Sequence, residues 1–352
     1  MTPLTPVRTR LALLALALGG FGIGTTEFVA MGLLPDIARD VLPDLWATDQ
    51  EAAIARSGWI ISAYAAGVVV GAPTIAAFAA RFPRKAVLTA LAVAFTLGTV
   101  ASALAPTFGT VVVARFAAGL PHGAYFGIAA LVAASLMGPG RRGRAVAFVL
   151  AGLTIANVVG VPAITYLGQQ SGWRIAYLAV AGLFAAAAVA IVAFVPRQAG
   201  DPQATMRREL GAFARPAVWF ALLTGALGFG GFFAVYSYVS PLATEITGTS
   251  ESFVPFALIV CGLGMTVGNV IGGRLADHGA LRAVLQMFGA FAVALVVVIS
   301  ASSSVVGLLV GLFLVGATAA ALSPAIQTRL MDVAGDSQTM AAAVNHSSLN
   351  LG

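Results

Sequence analysis

Apolar residues run along this chain in stretches of about 20, the length that carries a helix across about 30 Å of hydrocarbon. Ten such stretches cover residues 11–34, 58–80, 86–105, 109–136, 144–167, 173–195, 217–242, 253–275, 283–301 and 303–326. An eleventh starts near Thr339 and meets the end of the sequence at Gly352. Pro, Gly and charged residues mark the joints. The pattern predicts an all-α integral membrane protein, numbered here by its spans.

Composition sharpens that reading. Of 352 residues, 59% are hydrophobic and 9% charged, where a soluble domain carries about a quarter charged residues. Too little polar surface remains to cover a water-soluble core, so lipid is the matching solvent. The net charge of +6 does not point to nucleic acid, because the basic residues sit in short loops between apolar runs. The single cysteine, Cys261, lies inside an apolar run. It can form no disulfide within the chain and reads as a buried, inert thiol, and no metal cluster is expected. Arg8 and Arg10 precede the first stretch, which is too long for a signal-peptide core and reads as an uncleaved span.

The basic residues alternate between sides. With a cytoplasmic N-terminus, the inner side holds Arg8, Arg10, Arg81, Arg84, Lys85, Arg141, Arg142, Arg144, Arg197, Arg207, Arg208, Arg215, Arg274, Arg282 and Arg329. The outer side holds only Arg39, Arg56 and Arg174. That asymmetry sets the expected orientation in a bacterial inner membrane.

Residues 196–216 form the longest polar inner segment and read as a linker between a six-helix bundle, 1–195, and a second bundle, 217–352. The joint at 79–85 precedes a similar one at 276–282 by about 197 residues, as in a parallel internal repeat. On that plan the second bundle has four helices and the start of a fifth, and is short by about 40 residues. An incomplete C-terminal end is therefore expected, with an intact ten-helix protein as the alternative.

Few polar groups enter the spans. Glu27 lies in span one, where an unpaired carboxylate costs several kcal/mol, which makes it a functional candidate by default. Burial favours a protonated carboxyl and a nearby cation an ionised one, so a site opening to each side in turn binds and releases a proton. Glu27 lies eight residues before Pro35, and Arg115 of span four eight residues after Thr107. Both therefore lie about 12 Å below the outer boundary, and equal depth permits a salt bridge. The other reading of Arg115 is snorkelling to the interface.

Further in on span four, Pro121 removes a backbone donor and bends the helix, and Gly119 and Gly123 allow close packing. His122 is a candidate for substrate contact or titration, with a structural hydrogen bond as the equal alternative. Gly160 and Pro162 in span five suit a tightly packed, slightly bent helix, and Asn157 is a cavity candidate. Span seven carries a Gly- and Phe-rich stretch with Phe233 and Tyr236, suited to an amphipathic pocket. Tyr64 of span two joins these cavity candidates. Arg81, Arg84, Lys85, Asp277 and Arg282, in the two similar joints, are candidates for a cytoplasmic gate. No nucleophile triad or phosphate-binding loop is visible, so an enzyme is not expected and no cofactor is needed beyond a proton gradient.

Three stretches together resemble the major facilitator superfamily, and within it the bacterial drug/proton antiporter branch with twelve spans, of the arabinose-efflux and chloramphenicol-efflux type. They are Thr26-Glu27-Phe28-Val29-Ala30-Met31-Gly32-Leu33-Leu34-Pro35-Asp36-Ile37, then Ala114-Arg115-Phe116-Ala117-Ala118-Gly119-Leu120-Pro121-His122-Gly123-Ala124, and Gly160-Val161-Pro162 with Gly172-Trp173-Arg174. The resemblance covers the whole chain. It implies a span-four arginine near the proton-coupling site, which falls on Arg115, and a span-one acid for coupling or cation binding, which falls on Glu27. It also implies the antiporter motif of span five, matched by Gly160 and Pro162. Two departures stand out. Ala80 occupies the position where the family usually has an aspartate, although Asp277 keeps it in the second half, and Val161 separates the span-five glycine and proline. The expected activity is proton-coupled export of a small molecule, a drug, sugar or related metabolite, by a monomer that alternates access. A proton-driven importer and a non-transporting membrane subunit or sensor are the alternatives.

Overall fold

The structure, a computed structural model, describes residues 5–200, 203, 205–236, 238–239, 242–250 and 253–351. Asp201 of the linker lies outside the described residues, as do residues 237, 240 and 241 at the far end of span seven. Among the described residues every regular element is helical, and nine helices have the length and apolarity to cross a membrane. One of them, Val254–Ala301, carries spans eight and nine together. Its break lies at Gly279, whose φ of 152° suits a residue without a side chain. The ten expected spans are therefore present, and the eleventh forms the helix Gln338–Leu351. All of this is one all-α membrane fold, because hydrocarbon offers the backbone no hydrogen-bond partners other than its own.

Local sequence explains where the helices start and bend. Span four begins at Thr107, where Thr107 and Thr110 cap each other's backbone N–H at 3.3 and 3.0 Å. It runs as Phe108–Gly119 and resumes as His122–Met137, the turn between them falling on Leu120 and Pro121. Span five runs Arg142–Ile155, widens into a π-helical turn at Ala156–Gly160, and continues as Val161–Ser171 with Pro162 in its first turn. The stretch between spans one and two, featureless in the hydropathy pattern, folds into the short helices Leu34–Val41, Pro43–Thr48 and Gln50–Ser57. Their anchor is Asp40, which accepts from Trp173 Nε1 at 3.0 Å and pairs with Arg174 at 2.9 Å. The linker holds the helix Met206–Leu210 and a single 3₁₀ turn, Gly211–Ala214.

Buried side chains gather in one cluster drawn from residues 12–195, joined by Met331, Ala342 and Ala343, and another drawn from 218–341. Large apolar side chains such as Ile299, Val306, Phe220 and Val189 stand exposed on outward helix faces. In a bilayer those faces meet lipid.

Without a hydrophobic drive between helices in lipid, close backbone approach holds spans together. Spans two and four meet at Gly67 and Gly119, where a Cβ on Gly119 would fall on the Tyr64 carbonyl oxygen. Gly123 packs in the same way on Ala72 and Ala343. Gly119→Val is therefore expected to lower the stability of the purified protein by about 1–3 kcal/mol, the usual cost of overpacking. Gly109→Ala, with open space around it, is the matched control. Thermal unfolding in detergent measures both, and equal midpoints would refute the packing role.

Candidate functional site

Arg115 is fully buried in the middle of the first bundle. Its Nη1 donates to Thr26 Oγ1 and its Nη2 to the Thr26 carbonyl oxygen, both at 3.1 Å. The guanidinium lies 4.3 Å above the Tyr64 ring and 5.6 Å from that of Tyr177. Snorkelling to the interface is thus excluded.

The salt bridge that equal depth permitted does not form: Glu27 makes no hydrogen bond or ion pair among the described residues. The reason is angular. Successive residues on a helix point about 100° apart, so span one presents Thr26 to Arg115 and turns Glu27 away. Glu27 instead lines a cavity of about 50 Å³ at the centre of the molecule, with Phe28, His122, Phe233, Asn269 and His346 among its walls. Arg115 remains near enough to act on it electrostatically.

His122 is bonded on both sides. Its Nδ1 lies 3.0 Å from Tyr64 Oη, and its Nε2 lies 3.3 Å from Nδ1 of His346. His346 rests on the Phe126 ring, 4.3 Å between centroids and 11° between planes. Sequence reasoning missed His346. The signal available was the polar run Asn345-His346-Ser347-Ser348 inside an apolar helix.

The other cavity candidates divide. Phe233 lines the central cavity with Phe229 and Phe232. Asn157 and Tyr236 line a second, wider space of about 580 Å³, between spans one and five on one side and seven and eight on the other. Pro162 lines it too. Phe28 borders both spaces and meets Tyr236 edge-on at 6.2 Å, so this aromatic pair partitions them. Tyr64 corrects the expectation. It is 2% exposed and lines neither space, because the Arg115 guanidinium and the His122 ring cover it. Gly160 packs against Phe21 and Thr25 of span one, which supports a packing role.

The arginine-rich end of the molecule is closed. Asp277, whose side chain is 4% exposed, pairs with Arg144 and accepts from the backbone N–H groups of Gly143 at 2.7 Å and Arg144 at 3.3 Å. One carboxylate from span eight thus caps the start of span five in the other bundle. Arg142 pairs with Asp332 at 3.0 Å, and Asn269 donates to the Ala147 carbonyl at 2.7 Å.

The remaining gate candidates do not join the bundles. Arg81 covers the rings of Phe78 and Phe82 beside it, Arg84 donates to Gln198 at 3.4 Å, and Lys85 donates to the Val192 carbonyl at 2.7 Å. These contacts tie the span-two joint to the end of span six. Arg282 is exposed, with no bond to the first bundle. With Ala80 in place of an acid, the first joint has no carboxylate to reach across.

Two helical bundles around an internal cavity lined by aromatic rings and a few polar groups, latched together at the arginine-rich end, have the architecture of a membrane transporter. The chain belongs to the major facilitator superfamily, whose sequence profile matches residues 16–352. It is 40% identical to the inner membrane transport protein YdhP of Escherichia coli over 97% of this chain and 85% of that protein. It is 33% identical to the putative transporter AraJ of the same species, over 97% and 84%. With a chloramphenicol resistance protein of Streptomyces lividans it shares 32%, over 97% and 86%. Among solved structures, the human organic anion transporter MFSD10 superimposes with a TM-score of 0.77 at 15% identity, covering 99% of this chain and 92% of the other. The proton:xylose symporter XylE does so at 0.73 and 17%, covering 98% and 87%. At these identities the structural likeness speaks for the fold alone. The protein is accordingly a transporter and not an enzyme.

Proposed function

We propose that this transporter exports a small amphipathic or sugar-like molecule in exchange for protons, as a monomer in a bacterial inner membrane with its arginine-rich end in the cytoplasm. One observation carries the proposal: an acidic side chain with no ion partner lines the central cavity, beside a fully buried arginine held by other groups. A carboxylate kept free in this way is available to substrate and to protons in turn. The name of the chloramphenicol-resistance relative supports the outward direction, and the concentration of arginines at one end supports the orientation.

The cycle follows from the two ends. With the arginine-rich end latched, the wide space lies in the far half of the molecule, and Phe28 and Tyr236 stand between it and Glu27. A proton entering there neutralises Glu27 and displaces a bound solute. The molecule then unlatches Asp277, opens inward, releases the proton and takes up the next solute. No cofactor enters the cycle beyond the proton gradient, and the partners are solute, protons and the surrounding lipid.

Inverted vesicles loaded with protons test this, with chloramphenicol as the first probe in a panel of drugs and sugars. Addition of a substrate is expected to release stored protons, read by a pH-sensitive dye. Glu27→Gln, a permanently neutral stand-in for the protonated carboxyl, is expected to weaken probe binding and to remove at least about nine-tenths of that release in protein that still folds, since losing a proton-transfer group typically costs 10²-fold or more. Normal coupling in the Gln variant would sink the proposal.

A further inference from the structure

The functional reading gives His346 no task, yet it is buried, stacked and bonded across the boundary between the two bundles. We propose that His122 and His346 hold one excess proton between them, so that the molecule carries a second proton site, shared by span four and span eleven. Its role in transport rests on the proton coupling proposed above; its existence does not.

Two neutral imidazoles have four ring nitrogens and two N–H protons. A hydrogen bond between Nε2 of His122 and Nδ1 of His346, 3.3 Å apart, uses one of those protons, whichever ring carries it. An added proton, delivered as hydronium from cavity water, bonds to a ring lone pair that the neutral pair leaves free; water is the other product. In the loaded pair, Nδ1–H of His122 donates to Tyr64 Oη, 3.0 Å away, and one N–H still bridges the rings. The contact then becomes a charge-assisted hydrogen bond, stronger than the neutral one. Nε2 of His346 has no partner among the described residues, so loading the pair breaks no hydrogen bond there.

Several groups around the pair act on a cation held there. The face of Phe126 lies parallel beneath His346 at 4.3 Å and offers its negative quadrupole to an imidazolium. Glu27 of span one, without an ion partner, lines the same cavity as both histidines and supplies the counter-charge. Span two contributes Tyr64, and Arg115 of span four sits on the far side of that ring. Spans seven, eight and ten bring only uncharged groups to the cavity, among them Phe233, Met265, Asn269 and Ser323. Because the rings come from different bundles, any motion that parts spans four and eleven ends the sharing and expels the proton.

The sequence contains only three histidines, and the third, His278, is exposed and bonded to the Arg274 carbonyl. Histidine-selective ¹⁵N labelling of the His278→Gln protein in lipid nanodiscs therefore reports the pair alone. Titrated from about pH 9 to about pH 5, the range over which imidazoles ordinarily change charge, the two rings are expected to move with one common midpoint. They are expected to take up one proton per molecule, not two. His346→Gln, which keeps an amide able to bond His122, is expected to abolish the uptake, as is His122→Gln. Two separate midpoints, uptake of two protons, or no uptake at all would overturn the inference, and the wild-type pair decides this even if a variant misfolds. Glu27→Gln, which removes the counter-charge, is expected to move the midpoint to lower pH but to keep it single and the uptake at one proton, even where it abolishes substrate-driven proton release, so this inference and the transport mechanism fail separately.

Discussion

Arg115→Lys is expected to behave like Arg115→Ala, with transport falling by about 10²-fold or more in proteoliposomes although the positive charge is retained. Arg115 uses two N–H groups at the fixed spacing of a planar guanidinium to reach Thr26 Oγ1 and the Thr26 carbonyl together. The same plane covers the Tyr64 ring. A lysine ammonium is a point charge with no such fork. Hydrogen bonds from a charged donor contribute about 1.5–3 kcal/mol each, and a desolvated cation–π contact about 2. Losing one bond and the stack costs about 3.5–5 kcal/mol, or about 10²–10⁴-fold in any step that needs the arginine in place. Part of this is offset in the alanine variant, which no longer buries a charge, so alanine is expected to fold at least as well as lysine while transporting no better. Transport near the wild-type rate in the lysine variant would show that the charge alone matters and its placement does not.

Asp277→Asn is expected to open the arginine-rich end. The carboxylate accepts three hydrogen bonds from the start of span five, two of them from backbone N–H groups, and is almost fully buried. Asparagine keeps the shape but offers one acceptor oxygen and no charge. The difference, about 2–4 kcal/mol for charge-assisted bonds, shifts the ratio of closed to open molecules by about 10²-fold. Asp332→Asn removes another ion pair of this end, with Arg142, whose two side chains are 36% and 45% exposed. Such surface pairs contribute at most about 1 kcal/mol, so its effect is expected to stay below about fivefold. Spin labels at exposed Arg81 and Arg282, one in each bundle, read the outcome as a distance distribution. A longer population is expected in Asp277→Asn and little change in Asp332→Asn. An unaltered distribution in the first variant would mean that this carboxylate does not hold the end shut.

Both predictions concern residues that the sequence singled out only in part. Glu27, Arg115 and His122 were legible because a polar group inside an apolar run stands out without any structure. Asp277 was legible as half of a gate, but its partner Arg144 was counted only among the basic residues that fix orientation. Tyr64 looked like a wall of the cavity and proved to be the platform beneath Arg115. His346 was passed over, although it is bonded to a residue 224 positions away.

The sequence by itself determined the membrane fold, the positions of the spans, the place of each polar group along its span and the end where the arginines gather. These follow from distance along a helix axis, which the count of residues supplies directly, and from the need of every backbone group in hydrocarbon to bond within its own helix. Only the tertiary structure decided which face each group presents and what it meets there. One residue turns a side chain by about 100°, enough to give Arg115 to Thr26 and leave Glu27 to the cavity. The rotation of each span about its axis is set by packing against neighbours distant in sequence, and no local pattern of apolar and polar residues records it.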